Sequence, residues 1–373
     1  MEENQYKKNA EDMLYLTICV IKGKLPDMQR IQAMDLNQLF EVCEKSILTA
    51  CAAYALESVG IRNHKFTQAK EKAIRKNILM DAERKKILNR LEQEKIWYMP
   101  LKGAILKDWY PKLGMRQMSD NDILFDSKYR TKVRDIMLES GFTCKHFNKG
   151  NDDAYFKPPV CNFEMHNALF VSFHVGKLHE YYQNIKSKLI KDENTQYGYH
   201  FKTEDFYLYL TAHEYKHFAV GGIGLRSLVD TYIFLKKYGN SMNWDYLNTE
   251  LKKLQIDEYE QKRRNLVDKI FNEKPLSQEE NTMLEYYIFS YTYGNLENKI
   301  EHDLERLGKG SKVRYLLKRL FPPMKQIESY WNFFYRHKWL IPVLWIYRPI
   351  KGLFTNKKNI YQEIEYLNKI NKK

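Results

Sequence analysis

Cysteine is scarce in this sequence, and the spacing of the cysteines excludes two common uses of that residue. Cys19, Cys43, Cys51, Cys144 and Cys161 are odd in number and form no C-x-x-C pair. The disulfide framework of a small secreted domain and the zinc ribbon both depend on paired spacings. We therefore expect buried free thiols in a reducing compartment, and we predict a cytoplasmic protein.

Long apolar runs are missing as well. The N-terminal residues are polar and begin no apolar stretch of the kind that forms a secretory signal. No run of about 18 apolar residues occurs, although a transmembrane helix needs about 20. We find no internal repeat and no low-complexity linker, and we expect no segment that spans a membrane.

Acidic residues are the minority among the charged residues. The 61 Lys and Arg residues outnumber the 47 Asp and Glu residues, which gives a formal net charge of +14 over 373 residues. This balance favours anionic partners, such as nucleotides, nucleic acid or an acidic membrane surface, without choosing among them. Because lysine occurs along every segment, we interpret the charge as a general property of the chain rather than a nucleic-acid-binding stripe.

The length of the chain and its hydropathy pattern predict several lobes. Helical spacing of apolar residues comes first, short β-prone segments alternating with helices follow, and helical spacing then returns. The last part is basic and aromatic, and its apolar run, split by Pro342 and Pro349, does not fit a long amphipathic helix. We expect it to pack on the rest of the protein, with contact to an anionic surface as the alternative. The expected boundaries are a helical region at 1–94, an α/β core at 95–170, a helical lobe at 171–310 and a C-terminal region at 311–373.

The core is expected to contain a small sheet. A helix pattern at 65–94, free of Pro and Gly, precedes it. The order strand, helix, strand, helix, hairpin, strand predicts an α+β fold, in which a small mixed sheet is flanked by N- and C-terminal helical lobes. The predicted bounds are 96–100, 103–109, 118–125, 128–139, 142–157 and 160–169.

The strongest candidates for chemistry are two aspartates on the second predicted strand. Asp120 and Asp122 stand at i and i+2, so they share one face of a strand, and the apolar residues 123–125 follow. Such a carboxylate pair holds hard divalent cations through oxygen, and Mg²⁺ typically combines one or two carboxylates with substrate phosphates. The pattern therefore favours metal-assisted phosphoryl chemistry.

Two further groups support that hypothesis. Lys102 and Gly103 follow the first strand and open a helix, where a glycine lets backbone N–H groups approach phosphate oxygens and a lysine adds positive charge. Glu164 and His166 share a face of a later strand. Three carboxylates on neighbouring strands can hold two Mg²⁺ ions and orient a hydroxyl for attack on an α-phosphate.

These motifs resemble a known superfamily. They are Leu-Lys-Gly at 101–103, Tyr-Pro at 110–111, Gly-x-Arg-x-x-Ser-Asp-x-Asp-Ile-Leu at 114–124 and Glu-x-His at 164–166. In this order they resemble the nucleotidyltransferases that include DNA polymerase beta, and more narrowly the uncharacterised bacterial nucleotidyltransferase family described as type 5. The segments 213–217 and 224–230 are similar to the downstream part of that family. Lys102-Gly103 stands where the wider superfamily has Gly-Ser.

The resemblance implies transfer of a nucleotidyl group from an NTP to an acceptor, with two Mg²⁺ ions. The resemblance does not specify whether the acceptor is a small molecule, a protein or an RNA end. It does not specify the base of the NTP either. The implied catalytic residues and Mg²⁺ ligands are Asp120, Asp122 and Glu164, with Glu164 aiding metal binding or acting as base. Arg116 is expected near the triphosphate, or in a charge-assisted bond that braces Asp120. The implied nucleotide-binding residues are Lys102, Gly103, Arg116, Ser119, His166, His213 and Arg226.

Other interpretations stay open. A catalytically degenerate member of the fold would serve as a nucleotide-binding module, although the presence of all three carboxylates disfavours this. Residues 213–217 read His-Glu-x-x-His, the signature of zinc metallopeptidases, but Ile223 stands where the metzincin extension needs a third histidine. Arg226 and Asp230 stand at i and i+4 on one predicted helix and are expected to form a local salt bridge.

Overall fold

The structure is a computed structural model that describes residues 2–172, 176–292, 294–307 and 311–370. Helices dominate, and a five-stranded sheet lies in the first half of the chain. The helices before the sheet are α1 (Glu3–Lys22), α2 (Met28–Gln32), α3 (Leu36–Ser46), α4 (Thr49–Ser58) and α5 (His64–Gln93). The long α5 matches the helix predicted at 65–94, because neither Pro nor Gly interrupts its apolar stripe.

The sheet is assembled from a short stretch of chain. Its elements are β1 (Tyr98–Pro100), α6 (Gly103–Leu106), β2 (Asn121–Phe125), α7 (Arg130–Glu139), β3 (Thr143–Lys149), β4 (Asp152–Lys157) and β5 (Cys161–His166). The strand order is β1-β2-β5-β4-β3, in which β2 and β5 run parallel and the other neighbours run antiparallel. This mixed sheet between helical regions confirms the predicted α+β class.

The two faces of the sheet differ in chemistry. One face is apolar and packs against α5 and α7; its residues include Ile123, Phe125, Phe163 and Met165. Because side chains alternate along a strand, the residues between these point to the opposite face. That opposite face carries Asp122, Glu164 and His166, and it forms one wall of a cleft.

Helices follow the sheet, with one short hairpin among them. The hairpin was not predicted from the sequence, and it extends the edge of the sheet, where the Tyr98 N–H donates to the carbonyl of Tyr197 at 3.0 Å. The elements are α8 (Leu178–Tyr182), β6 (Leu189–Lys191), β7 (Tyr199–Phe201), α9 (Thr203–Phe218), α10 (Arg226–Tyr238), α11 (Trp244–Leu254), α12 (Asp257–Phe271), α13 (Gln278–Phe289), α14 (Leu296–Leu307), α15 (Ser311–Leu320), α16 (Met324–Tyr330), α17 (Asn332–Arg336), α18 (Ile341–Thr355) and α19 (Lys357–Lys369).

Two hydrophobic cores hold α9 and α10 opposite the sheet. The first joins α1, α3 and α4 to α10, α12 and α13, so the N-terminal helices and the later helices share one apolar interior. The second joins β1 and α6 to α8, α9, α10 and α11. Because α10 contributes to both cores, its start is fixed relative to the strand ends that it faces.

The second strand is shorter than predicted. It begins at Asn121 rather than at 118, so Asp120 immediately precedes the strand instead of lying on it. The preceding backbone is bound by α5: Lys76 Nζ donates to the Ser119 carbonyl at 3.1 Å, and Asn77 Nδ2 donates to the Arg116 carbonyl at 3.2 Å. These bonds to a helix take the place of strand pairing.

The C-terminal region also departs from the prediction. α18 runs through both Pro342 and Pro349. Pro342 lies in the first turn, where the missing N–H costs nothing, whereas Pro349 lies inside the helix. No helix within the described ranges is both long and apolar enough to cross a membrane.

The cysteines are free, as predicted, but not all are buried. Cys19, Cys43, Cys51 and Cys161 are buried, whereas Cys144 on β3 is exposed. β3 is the edge strand of the sheet, and most of its side chains face solvent.

Candidate active site

A single cleft lies between the sheet, α9 and the start of α10. It brings together every residue proposed from the sequence, although these residues come from five separate parts of the chain. Those in its lining are Lys102, Gly103, Arg116, Ser119, Asp120, Asp122, Glu164, His166, His213 and Arg226.

The acidic side chains meet where β2 and β5 run side by side. Asp122 pairs with Glu164 in the parallel register, so the two carboxylates lie on the same face, and Asp120 lies two residues before Asp122. Ligand atoms of Asp122, Glu164 and His166 all lie within 4.8 Å of one another. Within the described residues, no other group of three or more His, Cys, Asp and Glu side chains is so arranged.

Asp122 is the most tightly held of the carboxylates. Its Oδ1 atom accepts from Lys102 Nζ at 2.9 Å and lies 2.8 Å from His166 Nε2. Asn151 Nδ2 lies 3.4 Å from His166 Nδ1, so each ring nitrogen of His166 has a polar neighbour. Burial alone would raise the pKa of Asp122, but Lys102 and His166 together hold this pKa far below its usual range.

The other two carboxylates are perturbed in the opposite direction. Burial, and next the negative charge of Asp122, raise the pKa of Asp120. Partial withdrawal from water, followed by the charges of Asp122 and Asp120, raises the pKa of Glu164 to about 8. Repelling carboxylates of this kind gain stability from a bound cation. Their oxygen donors suit Mg²⁺, so the site fits the metal that the resemblance implies.

Lys102 reaches this cluster through an unusual backbone conformation. Its φ of 42° and ψ of −110° lie where non-glycine residues are strained, at a cost of about 1–3 kcal/mol. The neighbouring backbone is fixed, because the Leu101 N–H donates to the Asp122 carbonyl at 2.9 Å. Burial would lower the pKa of Lys102, but Asp122 and the other acidic groups around it together outweigh burial and raise this pKa, so the ammonium stays charged.

Gly103 has a clear packing role in the structure. A Cβ atom at this position would lie 2.4 Å from Arg116 Nη1 and 3.0 Å from Met118 Sδ. The helix that it opens, α6, has only four residues. The absence of a side chain at Gly103 therefore makes room for the Arg116 guanidinium.

Arg116 does not brace Asp120 as expected. It forms a buried two-point ion pair with Asp230 of α10, at 2.8 and 2.9 Å, and the Tyr110 hydroxyl donates to the same carboxylate at 2.7 Å. The predicted salt bridge between Arg226 and Asp230 is consequently absent, because Arg116 and Tyr110 engage that carboxylate. Arg226 instead donates to the Gln117 carbonyl at 2.9 Å. Both arginines thus tie α10 to the segment that precedes Asp120.

The His-Glu-x-x-His segment does not form a peptidase site. His213 and His217 lie on the cleft side of α9, with their Nε2 atoms 3.3 Å apart. Glu214, which would have to serve as the base, is buried and binds Arg263 at 2.6 Å and the Tyr287 hydroxyl at 2.9 Å. Burial, and then Lys102, hold the pKa of His213 well below its usual value.

Several residues of the cleft were not predicted from the sequence. Asn151 and Asp152 enter it because the β4–β5 register pairs Asp152 with His166. They fall within the hairpin predicted at 142–157, and the register between β4 and β5 would have pointed to them. Lys216 also lines the cleft; burial, and then Lys102, lower its pKa to about 8. It forms no hydrogen bond or ion pair with the residues that the structure describes.

A second chamber of about 730 Å³ adjoins the cleft. The two share Asn151, Asp152, Lys216 and His217. Its far wall comes from α14 to α18 and combines cations with aromatic rings; the residues there include Lys299, Lys318, Arg319, Tyr330, Trp331 and Arg348.

Comparison with known proteins agrees with this geometry. The model of a family described as an uncharacterised nucleotidyltransferase matches residues 32–272, which is more than half of the chain. No curated protein and no solved structure matches the chain. The matched range contains every side chain of the acidic cluster as well as α9 and the start of α10. The chain therefore belongs to this family of uncharacterised nucleotidyltransferases.

Proposed function

We propose that this protein transfers a nucleotidyl group from an NTP to an acceptor in a Mg²⁺-dependent reaction. The observation that carries the proposal is the meeting of Asp120, Asp122 and Glu164 at one end of a parallel strand pair, in a cleft that also holds unsatisfied positive charge. Membership of the family supports the reaction class.

Asp120, Asp122 and Glu164 are the residues that would hold the metal. Bound Mg²⁺, as one or two ions, would neutralise charge on the triphosphate and polarise the α-phosphate. Asp122 and Glu164 lie on the adjacent strands β2 and β5, and Asp120 directly precedes β2, so the sheet would give these ligands fixed positions.

In this proposal the side chains around this cluster bind phosphate oxygens and accept a proton. Lys102 and Lys216 offer ammonium groups to phosphate oxygens, and Glu164, with a pKa of about 8, is suited to accept the proton of an acceptor hydroxyl near neutral pH. The acceptor oxygen then bonds to the α-phosphorus, the bond from the α-phosphorus to the β-phosphate oxygen breaks, and pyrophosphate leaves with that electron pair.

The remaining predicted nucleotide-binding residues receive supporting roles in this proposal. Ser119 and Arg226 line the cleft beside Asp120, and His213 faces it from α9. Arg116 acts as a positioning residue, because its guanidinium is already engaged by Asp230. Gly103 keeps the space that Arg116 occupies.

The second chamber is the proposed position of the acceptor. Lys216, Lys299 and Arg348 line it without forming an ion pair with any residue that the structure describes. Its volume falls within the usual range for small-molecule sites. Cations beside Tyr330 and Trp331 suit an acceptor that combines an anionic group with a flat or apolar part.

The wider setting is also a proposal. We place the protein in the cytoplasm, with residues 95–170 as its catalytic core, 1–94 and 171–310 as the helical regions that support the core, and 311–373 as a region in contact with an anionic surface. Within this scheme, residues of the first three segments would hold the metal and the NTP, and the fourth segment would contribute to the acceptor chamber.

The test compares the Asp120→Asn/Asp122→Asn double variant with Asp135→Asn. Asp135 lies on α7, is half-exposed and pairs only with its neighbour Arg134, so it serves as the matched control. Pyrophosphate release would be followed with each NTP, Mg²⁺ and a cell extract as acceptor source. We expect release by the wild type and by Asp135→Asn, and none by the double variant. Equal release by all three would contradict the proposal, and NTP binding without any release would favour the degenerate binding module.

A further inference from the structure

The C-terminal region exposes an apolar stripe that no other part of the described structure covers. The outward residues of α18 recur at helical spacing, and Trp339 precedes them. Their exposed fractions are 77% for Trp339, 53% for Val343, 66% for Ile346, 50% for Ile350, 55% for Leu353 and 86% for Phe354. A second stripe on the neighbouring α15 consists of Val313, Leu316, Leu317 and Leu320, each exposed by 41% or more.

α18 is packed against the protein in spite of this exposed stripe. The opposite side of α18 is anchored, because Ile341 and Leu344 are buried in a small core with Ile327. Arg348 lies 4.6 Å from the Trp331 ring, and Arg319 holds Glu363 of α19 in a two-point ion pair. The helices are therefore fixed by one side and present the other to the surroundings.

The positive charge of the chain is concentrated in the same region. Residues 311–373 contain 14 Lys and Arg residues and 3 Glu residues, whereas residues 1–310 contain 47 Lys and Arg against 44 Asp and Glu. The first 310 residues are thus nearly neutral, and the C-terminal region carries +11 of the net +14. Lysine does occur in every segment, but the excess of positive over negative charge lies mainly in the C-terminal region.

Apolar and basic surfaces on the same helices favour one kind of occupant. A second copy of this chain would bring two strongly basic surfaces together, which like-charge repulsion opposes. Nucleic acid would attract the lysines but has no use for exposed Val, Ile and Leu side chains. An anionic lipid surface uses both, because the apolar side chains enter the acyl boundary while lysines meet the headgroups.

We propose that residues 311–370 form a docking surface for anionic membranes, with α15 and α18 lying on the bilayer. The surface combines the apolar stripes with Lys351, Lys357 and Lys358, all of which are exposed. This peripheral attachment needs no membrane-spanning helix. Composition suggested contact with an anionic surface, and the proposal identifies that surface as a lipid bilayer. The proposal does not depend on the transfer reaction.

The test is flotation of the full-length protein with vesicles. Phosphatidylcholine vesicles would be compared with vesicles that also contain phosphatidylglycerol, at low and at high salt. We expect the protein to float with the anionic vesicles, and flotation to fall as salt rises. Flotation with neutral vesicles only, or with neither kind, would overturn the proposal.

Variants separate the stripe from general surface effects. Ile346→Asp/Phe354→Asp should reduce partition to anionic vesicles by about tenfold or more, and Lys351→Gln/Lys357→Gln/Lys358→Gln should reduce it similarly. The control is Leu25→Asp, because Leu25 is 71% exposed but lies outside the C-terminal region. A loss with Leu25→Asp equal to that of the stripe variant would overturn the proposal.

Two further measurements complete the test of the docking surface. Analytical ultracentrifugation without lipid should show the same mass for wild type and stripe variant; a dimer that only the wild type forms would overturn the proposal. Pyrophosphate release in solution should be unchanged in the stripe variant. A failure of the lipid-binding proposal can therefore be distinguished from a failure of the proposed transfer reaction.

Discussion

Asp122 on β2 faces Glu164 on β5 across a pair of parallel strands, and the two carboxylates titrate in opposite directions. The difference arises from their partners. Asp122 is satisfied by Lys102 and His166, whereas Glu164 has Asp122 itself as its strongest electrostatic neighbour. One carboxylate is thus permanently charged, while the other accepts a proton near neutral pH.

This asymmetry predicts a pH-dependent effect of Glu164→Gln. Because the pKa of Glu164 in the fold, about 8, lies above its unfolded value, folding favours the protonated form. The stability gained in this way is complete below about pH 4 and is lost as pH rises through about 8. We therefore expect the metal-free variant, which cannot ionise, to gain thermal stability relative to wild type between about pH 5 and about pH 9.

Scanning fluorimetry over that pH range measures this difference. Mg²⁺ should raise the melting temperature of the wild type more than that of Glu164→Gln, because only the wild type supplies the third carboxylate. A melting-temperature difference independent of pH would contradict the assigned pKa. Equal Mg²⁺ shifts in both proteins would contradict the role of Glu164 as a ligand.

The strained backbone at Lys102 predicts a ranking of two substitutions. Lys102→Gly and Lys102→Ala both remove the ammonium, but only glycine adopts a φ of 42° without strain. We expect the glycine variant to be more stable in urea unfolding by about 1 kcal/mol or more. Both variants should lose pyrophosphate release by about 100-fold, because the same positive charge is missing from each. An alanine variant at least as stable as the glycine variant would show that the strain is not real.

The close approach at Gly103 predicts a steric effect. Gly103→Ala places a Cβ against Arg116, whose guanidinium cannot move without breaking its ion pair with Asp230. We expect a loss of about 1–3 kcal/mol in the free energy of unfolding. Gly221→Ala is the matched control, because its Cβ would meet only ordinary contacts at 3.5 Å and beyond. Similar losses in both variants would remove the special role of Gly103.

The partners of Glu214 predict that its replacement harms folding rather than catalysis. Glu214→Gln leaves the fully buried Arg263 without a charged partner, so we expect a loss of about 3–5 kcal/mol in unfolding free energy. Glu258→Gln, which breaks an exposed pair with Lys262, should leave the unfolding free energy nearly unchanged, because solvent screens the pair. Elemental analysis of the wild type should show no stoichiometric zinc. Zinc that is lost on His213→Asn would instead support a peptidase.

Local patterns carried the prediction of the acidic cluster. Alternation along a strand is a short-range rule, so Asp122 and the Glu164–His166 pair could be placed on strand faces from sequence spacing alone. The long α5 was equally readable, because an uninterrupted apolar stripe specifies a helix. The motif order then supplied the pairing of the two strands, which spacing does not contain.

Long-range partners were not readable in the same way. Arg116 and Asp230 are more than 100 positions apart in the sequence. A nearer arginine, Arg226, favoured the prediction of a local salt bridge with Asp230. Asp152 lies in the site because of the strand register between β4 and β5, and no single residue determines that register. Nothing in a single-residue pattern distinguishes such partners from the many other charged residues of a basic chain.

The ion pair between Lys102 and Asp122 has a consequence for how the protein is made. The chain supplies its own counter-ion to the most buried carboxylate of the acidic cluster, so the cluster does not need a metal in order to become compatible with the interior. We therefore expect folding to be independent of the metal binding proposed above, unlike that of small domains that acquire their fold only when metal binds. If the proposed Mg²⁺ dependence holds, protein made under magnesium starvation would be folded but inactive until the metal returned.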